Sequence, residues 1–209
     1  TYPLNWTFGV GAPLVQQTMR PFGFDLTAAT LGDLLASKAR FSLLDVAAAY
    51  GVFAAQGARV TQTPAAVLRV EGVDGRLYLA ADAPKRAQVV SPQLAYLVTD
   101  ILRVETSVPA AEKTGQTLDG LESWAVGYSP NRVAVVWMGA PGAGRPTSGI
   151  LSALLQAASR DAPPDDWPQP AGVARLRVCD PSGLLPTAAC PNLVNEVFLE
   201  GYQPVQADT

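Results

Sequence analysis

The sequence predicts an α+β fold, an antiparallel sheet with helices packed on it. Two kinds of observation carry this. Runs rich in Val, Tyr and Trp are joined by short turn signals, the usual link between antiparallel neighbours. Separate apolar segments start at Ser residues suited to capping and follow helical spacing.

Residues 13–19 read as a short helix that ends before Pro21 and Gly23. Residues 28–39 read as a second. Ser42-Leu43-Leu44-Asp45 is a capping-box-like start. It opens a run over 43–55 that is apolar nearly all round, which describes a buried helix, and Gly57 can end it. Residues 65–71 and 76–80 read as strands joined across Gly72-Val73-Asp74-Gly75. Ser91 supplies an N-cap and Pro92 a first-turn proline. Leu94, Leu97, Val98, Ile101 and Leu102 then follow helical spacing.

Three strands are expected next, around 113–117, 121–128 and 132–139, with Pro130-Asn131 turning between the last two. Residues 148–160 read as a helix packed by Ile150, Leu151, Leu154 and Leu155. The expected organisation is a main domain over 1–161, a Pro-rich linker over 162–172 and a small extension over 173–209 that holds Cys179 and Cys190. A further strand is expected at 173–178.

Composition excludes several kinds of chemistry. The chain has 209 residues, enough for a sizeable core, with 48% hydrophobic and 16% charged residues. Net charge is −3, so no basic face points to nucleic acid. The longest apolar stretch, 46–55, is too short to span a bilayer. There is no His, which removes Ser-His-Asp triads, Cys-His pairs and His-ligated metals. Two Cys cannot make a four-Cys zinc site. Acyl transfer from these residue types must use Ser, Lys, Tyr or carboxylates. No metal or cofactor is expected. With no initiator Met or leader, the chain reads as part of a longer protein.

The sharpest motif is Lys113-Thr114-Gly115. It lies in Glu112-Lys113-Thr114-Gly115-Gln116-Thr117 and leads into Ser123-Trp124-Ala125-Val126-Gly127-Tyr128-Ser129-Pro130, then Val133-Ala134-Val135-Val136-Trp137-Met138-Gly139. This run resembles the last active-site strand, and the two strands after it, of a penicillin-binding protein transpeptidase domain. Such enzymes use Ser-x-x-Lys, Ser-x-Asn and Lys-Thr-Gly motifs. Residues 42–57, 67–78 and 91–103 are similar to the buried helix, hairpin and helix that precede the third motif. The tail, from Val178-Cys179-Asp180-Pro181 through Cys190-Pro191 to Phe198, resembles the ending of bifunctional class A members. Those carry a glycosyltransferase domain upstream and a membrane anchor before it.

The resemblance implies a penicillin-binding, serine β-lactamase-like fold and a D,D-transpeptidase that cross-links peptidoglycan stem peptides and binds β-lactams. It implies an extracytoplasmic location, on the outer face of the cytoplasmic membrane, anchored by a segment absent from this chain. The alternatives are a D,D-carboxypeptidase or β-lactamase of the same fold, or a non-catalytic cell-wall binding domain. Thr1-Tyr2-Pro3 resembles the segment just after the second motif. The nucleophilic Ser, its Lys and the Ser-x-Asn triplet are therefore expected upstream, and the chain alone is expected to be inactive. No Ser here has a Lys three positions later. Ser129-Pro130-Asn131 fits Ser-x-Asn by letter, but turns favour these residues on their own account.

Carried over by the resemblance, Lys113, Thr114 and Gly115 are the catalytic motif, and Gln116 and Thr117 are substrate-binding. Lys113 supplies a positive charge, Thr114 a hydroxyl for the substrate carboxylate, and Gly115 room for the substrate backbone. The Gln116 N–H would be an oxyanion-hole donor. Gln116 departs from the usual Thr or Ser. Glu112 and Asp119 read as surface charges, and Asp45 as a cap rather than an acid. Trp124, Tyr128 and Trp137 read either as core or as groove lining. In an extracytoplasmic protein Cys179 and Cys190 form a disulfide; the alternative is two buried thiols.

Overall fold

The structure, a computed structural model, describes residues 11–26, 32, 40–61, 67–81, 84–117, 120–139 and 147–208. The expected helix over 28–39 and Asp119 lie outside them, apart from residue 32. Helix α1 spans Ala12–Met19 and is followed by a 3-10 turn, Arg20–Phe22. Helix α2 spans Leu43–Ala54. Strand β1 is Ala58–Thr61, β2 Arg69–Glu71, β3 Leu77–Ala80 and β4 Lys85–Gln88. Helix α3 is Pro92–Ile101. Strands β5 (Arg103–Val104), β6 (Ala110–Gln116), β7 (Glu122–Ser129) and β8 (Arg132–Gly139) follow. Helix α4 is Thr147–Ala158, and β9 (Val173–Asp180) and β10 (Asn192–Leu199) close the chain. Among the described residues no helix is long and apolar enough to cross a membrane.

Helix α2 starts where its sequence directs. Ser42 Oγ accepts from the Asp45 N–H at 3.1 Å, and Asp45 Oδ2 accepts from the Ser42 N–H at 3.0 Å. This capping box makes Asp45 a helix cap. The helix ends at Ala54 with Ala55 as its cap, and the chain turns away through Gly57, whose φ of 89° suits glycine; a Cβ there would stand 2.2 Å from the Val90 carbonyl oxygen. Helix α3 begins with Ser91 accepting from Leu94 N–H and with Pro92 in its first turn.

The main sheet is antiparallel, in the order β5-β6-β7-β8. Alternation sends Ala111, Tyr128 and Val133 to one face, and Ala110, Gly127, Ala125 and Val136 to the other. Helix α4 covers the second face through Leu151 and Leu155, both buried with Ala110, Ala125 and Val136. It comes so close to β7 that a Cβ on Gly127 would meet both leucines at 2.9 Å. Ile150 and Leu154, expected to pack, lie exposed on its outer side. The stripe that touches the sheet is narrower than the apolar run.

Helix α2 covers the first face. Tyr128 is fully buried there, against Tyr50, Phe53 and Ala54 of α2. Its hydroxyl lies 3.1 Å from Thr99 Oγ1 on α3. Burial pushes the Tyr128 hydroxyl up to about 12, with the Thr99 hydrogen bond acting the other way. The face that α3 buries is Ala95, Tyr96 and Thr99; Leu94 and Ile101 are exposed.

Residues 162–172 form neither helix nor strand, yet they are held down closely. Trp167 is buried, its ring centroid 5.7 Å from that of Tyr128, and its indole N–H donates to the Ala54 carbonyl at 3.0 Å. The Arg103 guanidinium stacks 5.4 Å above the Trp167 ring and is paired with Asp166. Gln56 donates to the Pro168 carbonyl and Gln93 to that of Ala171.

Three further two-stranded pairs form, β1 with β4, β2 with β3 and β9 with β10. The sequence reading omitted β1, β4 and β10, and ended the strand at 173–178 two residues early. The β2–β3 pair is more exposed than its apolar content suggests; Leu68, Val70, Leu77 and Leu79 all face solvent.

Two outcomes test this packing. Trp167→Ala removes a buried ring and its hydrogen bond and should cost about 3–5 kcal/mol. Tyr128→Phe keeps the ring and should cost about 1–2 kcal/mol. Guanidinium unfolding midpoints should therefore fall in that order, and the reverse order would place Trp167 outside the core.

The cap has a pH signature. The Ser42 hydroxyl, then the Ser42 amide, holds the Asp45 carboxyl below its ordinary value. The folded state thus binds that proton less readily than the unfolded chain. The stabilisation is complete above the ordinary carboxylate range and is lost as pH falls through the lowered value. Ser42→Ala should cost about 1 kcal/mol at pH 7 and clearly less at strongly acid pH, as measured by urea unfolding at both.

Candidate active site

Strand β6 changes character along its length. At its start Ala110 and Ala111 are buried; both pair with β5, and Ala111 also pairs with β7. The β5 pairing covers those two residues alone, and the Glu112 N–H extends it by donating to Leu102 O at 2.8 Å. Among the described residues, nothing pairs with that side of the strand from Lys113 onward. Lys113, Thr114, Gly115 and Gln116 are all exposed along this open edge.

Backbone direction follows from two observed bonds. N–H groups alternate sides along an antiparallel strand. The Glu112 N–H points toward β5, and the Thr117 N–H points toward β7, donating to Glu122 O at 3.0 Å. The Thr114 and Gln116 N–H groups therefore point off the open edge. Side chains alternate between the faces. Lys113 lies opposite Val126 and Gly115 opposite Trp124, on the face covered by α2. Thr114 and Gln116 stand on the other face. Among the described residues no acceptor pairs with the Lys113 ammonium.

Gly115 faces open space: a Cβ there would meet nothing within 4 Å. This glycine is therefore not required by its neighbours within the described structure. What it provides is close access to the strand backbone.

Beside Gly115 lies a groove of about 570 Å³, walled by Gln116 at the end of β6 and Thr117 just after it, Trp124 and Trp137 from β7 and β8, and Phe41 ahead of α2. Lys113 and Thr114 do not line it. Trp124 and Trp137 meet edge-to-face at 6.5 Å. Glu122 sits in the same wall. Its Oε2 accepts from the Trp137 indole N–H at 3.2 Å, and its Oε1 lies 3.5 Å from Arg40 Nη1. The Thr117 hydroxyl accepts from the Glu122 N–H at 3.0 Å.

Of the three aromatic candidates, Trp124 and Trp137 line the groove and Tyr128 belongs to the core. The sequence reading missed Glu122 and Arg40. Glu122 was within reach, because strand alternation puts it on the face of Trp124, two residues on. Arg40 joins only through the tertiary fold. Glu112 is half-buried rather than a plain surface charge, and burial pushes its carboxyl up. Ser129 is fully buried at the β7–β8 turn, its hydroxyl donating to Asn131 Oδ1 at 3.1 Å. Three residues beyond the Lys113 partner, it stands about 10 Å along the strand from the motif.

Cys179 and Cys190 are disulfide-bonded, with Cα atoms 5.6 Å apart. The bond ties β9 to the loop before β10, in a sheet separate from β6. Asp208 approaches both sulfurs, but bonded sulfurs offer no thiolate to a metal.

Residues 169–209 match the family described as penicillin-binding protein 1A, C-terminal domain. Penicillin-binding protein 1A of Clostridium perfringens is 28% identical over 187 residues, covering 77% of this chain and 22% of the relative. That of Neisseria gonorrhoeae is 32% identical over 152 residues, covering 62% and 18%. The chain thus spans about a fifth of the length of these relatives. Among solved structures, penicillin-binding protein 1A from Haemophilus influenzae superposes with a TM-score of 0.78 at 19% identity, covering 99% of this chain and 39% of that one. Penicillin-binding protein 3 of Mycobacterium tuberculosis, complexed with aztreonam, gives 0.53 at 17% identity over 78% and 49%. Both structural likenesses concern the fold.

The two strand glycines should respond oppositely to a methyl group. Gly127→Ala drives a Cβ into Leu151 and Leu155 and should cost about 1–3 kcal/mol. Gly115→Ala enters open space and should stay within about 1 kcal/mol of the parent. Chemical denaturation of both variants checks the contrast; equal losses would mean that the β6 edge is packed in solution.

Proposed function

We propose that this chain, which belongs to the class A penicillin-binding proteins and corresponds to their C-terminal part, supplies one wall of a D,D-transpeptidase active site in peptidoglycan synthesis. The observation that supports this best is the open edge of β6. It presents Lys113, Thr114 and Gly115 to solvent, with the Gln116 N–H directed off the sheet.

The reaction is acyl transfer. A serine Oγ, borne by the upstream part of the same domain, attacks the carbonyl between two terminal D-alanines of a stem peptide. The C–N bond breaks and D-Ala leaves with a proton. An amine of a second stem peptide then attacks the ester carbonyl and releases the serine. β-Lactams follow the first half and stop at the acyl-enzyme. A glycosyltransferase domain and a membrane anchor precede this domain, and both substrates are met on the outer face of the cytoplasmic membrane.

Each residue has a physical role. Lys113 brings a cation to the cleft, where it attracts the substrate carboxylate and favours charge that develops on the carbonyl oxygen. Thr114 offers a hydroxyl to the carboxylate, and Thr117 holds the end of the strand. Gly115 lets the substrate backbone lie against β6. The Gln116 N–H is one of two oxyanion donors. Because that donor is backbone, Gln116 in place of the usual Thr or Ser leaves it intact. The Gln116 side chain alters ligand contact by about 1 kcal/mol, the usual worth of one hydrogen bond.

The test is acylation by a labelled penicillin in the complete parent protein. Lys113→Ala should slow acylation by about 10²–10³. Lys113→Arg should recover only part, because a guanidinium is larger and keeps its protons. The 209-residue chain by itself, which has no Ser-x-x-Lys, should take up no label. Rates for the three parent proteins within a factor of two would reduce Lys113 to an ordinary edge-strand lysine.

A further inference from the structure

We propose that Glu122 is a positioning residue for the Gln116 end of the active-site wall, a role that rests on the transpeptidase reading above. Four contacts converge on it. Through its backbone, Glu122 exchanges two hydrogen bonds with Thr117, the residue directly after Gln116. Thr117 N–H donates to Glu122 O at 3.0 Å, and Glu122 N–H donates to Thr117 Oγ1 at 3.0 Å. Through its carboxylate it accepts from Trp137 Nε1 on β8 at 3.2 Å and meets Arg40 Nη1 at 3.5 Å. One residue thus joins the end of β6 to β8 and to the segment that leads into α2.

Position makes these contacts consequential. The outer side of β6 has no described neighbour beyond Glu112, so pairing with β7 is what holds Gln116 in place. Glu122 is the first residue of β7 and stands at the very end of that pairing. A strand end with one neighbour frays unless something anchors it. The carboxylate provides the anchor, because its side chain is mostly covered while Arg40 remains mostly exposed (27% against 84%). Both contacts reach solvent, but Trp137 is 45% exposed against 84% for the Arg40 side chain, so water screens the ion pair more. Trp137 in turn meets Trp124, which lies opposite Gly115 in the register. Loss of the carboxylate therefore loosens both the Gln116–Thr117 backbone and the ring beneath Gly115. Displacement of an oxyanion donor by a fraction of an ångström slows the chemical step while leaving ground-state binding nearly unchanged.

The experiment uses the complete parent protein and separates the penicillin dissociation constant from the first-order acylation constant. Glu122→Ala should lower the acylation constant about tenfold or more, with the dissociation constant within twofold of wild type. Glu122→Gln keeps an oxygen acceptor for the Trp137 indole and should retain most of the rate. Arg40→Gln should lower the acylation constant less than Glu122→Ala does, because it removes only the more water-screened contact. The assigned indole N–H resonance of Trp137 gives a second readout, expected to shift in Glu122→Ala and to hold near its place in Glu122→Gln. An acylation constant in Glu122→Ala within twofold of wild type would overturn the proposal, as would a loss confined to the dissociation constant. If wild-type protein takes up no penicillin, the transpeptidase reading fails and the positioning role falls with it. An unmoved Trp137 resonance in an otherwise active enzyme would instead refute the clamp alone.

Discussion

The burial of Tyr128 is the contact on which the rest of the arrangement depends. It sits two residues before the β7–β8 turn and fills the space between the sheet, α2 and α3. A phenol can occupy such a site only if its hydroxyl has a partner, because an unpaired buried hydroxyl is costly. Thr99 is that partner, and it fixes which face of α3 turns inward. Trp167 then completes the cluster from below. The motif strand gains its position indirectly: Ala111 pairs with Tyr128, and the exposed residues follow from that register.

Covering is uneven across the sheet, and function follows the unevenness. One face of β7 is packed so tightly by α4 that glycine is needed at position 127. Three residues away in register terms, Gly115 meets nothing. The same residue type serves opposite ends, close packing in one place and access in the other. Burial also separates charges by task. The Arg103–Asp166 pair holds the Pro-rich segment against the core, whereas Lys113 is left to face whatever approaches the edge.

Much of this was legible in sequence. Strands β7 and β8 show in their Val, Tyr and Trp content, and the Ser42–Asp45 box marks the start of α2 to the residue. The motif falls on a strand with the alternation expected of it. What was not legible has physical causes. Leucine spacing caught only part of the inward face of α3: Leu97 and Leu102 pack against the core, but Leu94 and Ile101 are exposed, and the buried centre is Ala95, Tyr96 and Thr99, the last held by the Tyr128 hydroxyl. Strands β1 and β4 are four residues each and carry Arg59, Lys85 and Arg86, so pairing rather than composition makes them strands. The groove combines Arg40 with Glu122, residues that sequence distance keeps apart. The Pro-rich stretch looked like a spacer because proline and aspartate dominate it, and the one ring that docks it is a single letter among them.

That ring sets an order of events during synthesis. The four-stranded sheet and helices α1–α4 are synthesised before Trp167, and the Pro-rich segment then closes the core together with β9 and β10, whose Val173, Val197 and Leu199 pack on the same cluster. Until it arrives, the Ala54 carbonyl has no indole to accept from, and one side of Tyr128 lies open to water. A chain that stops short of this point carries the whole motif strand on an unfinished interior. The C-terminal hairpin, latched to α3 through Arg175 and Asp100, is therefore attached by the same stretch of chain that closes the core. Maturation of the edge that meets substrate awaits the arrival of residues that never approach it.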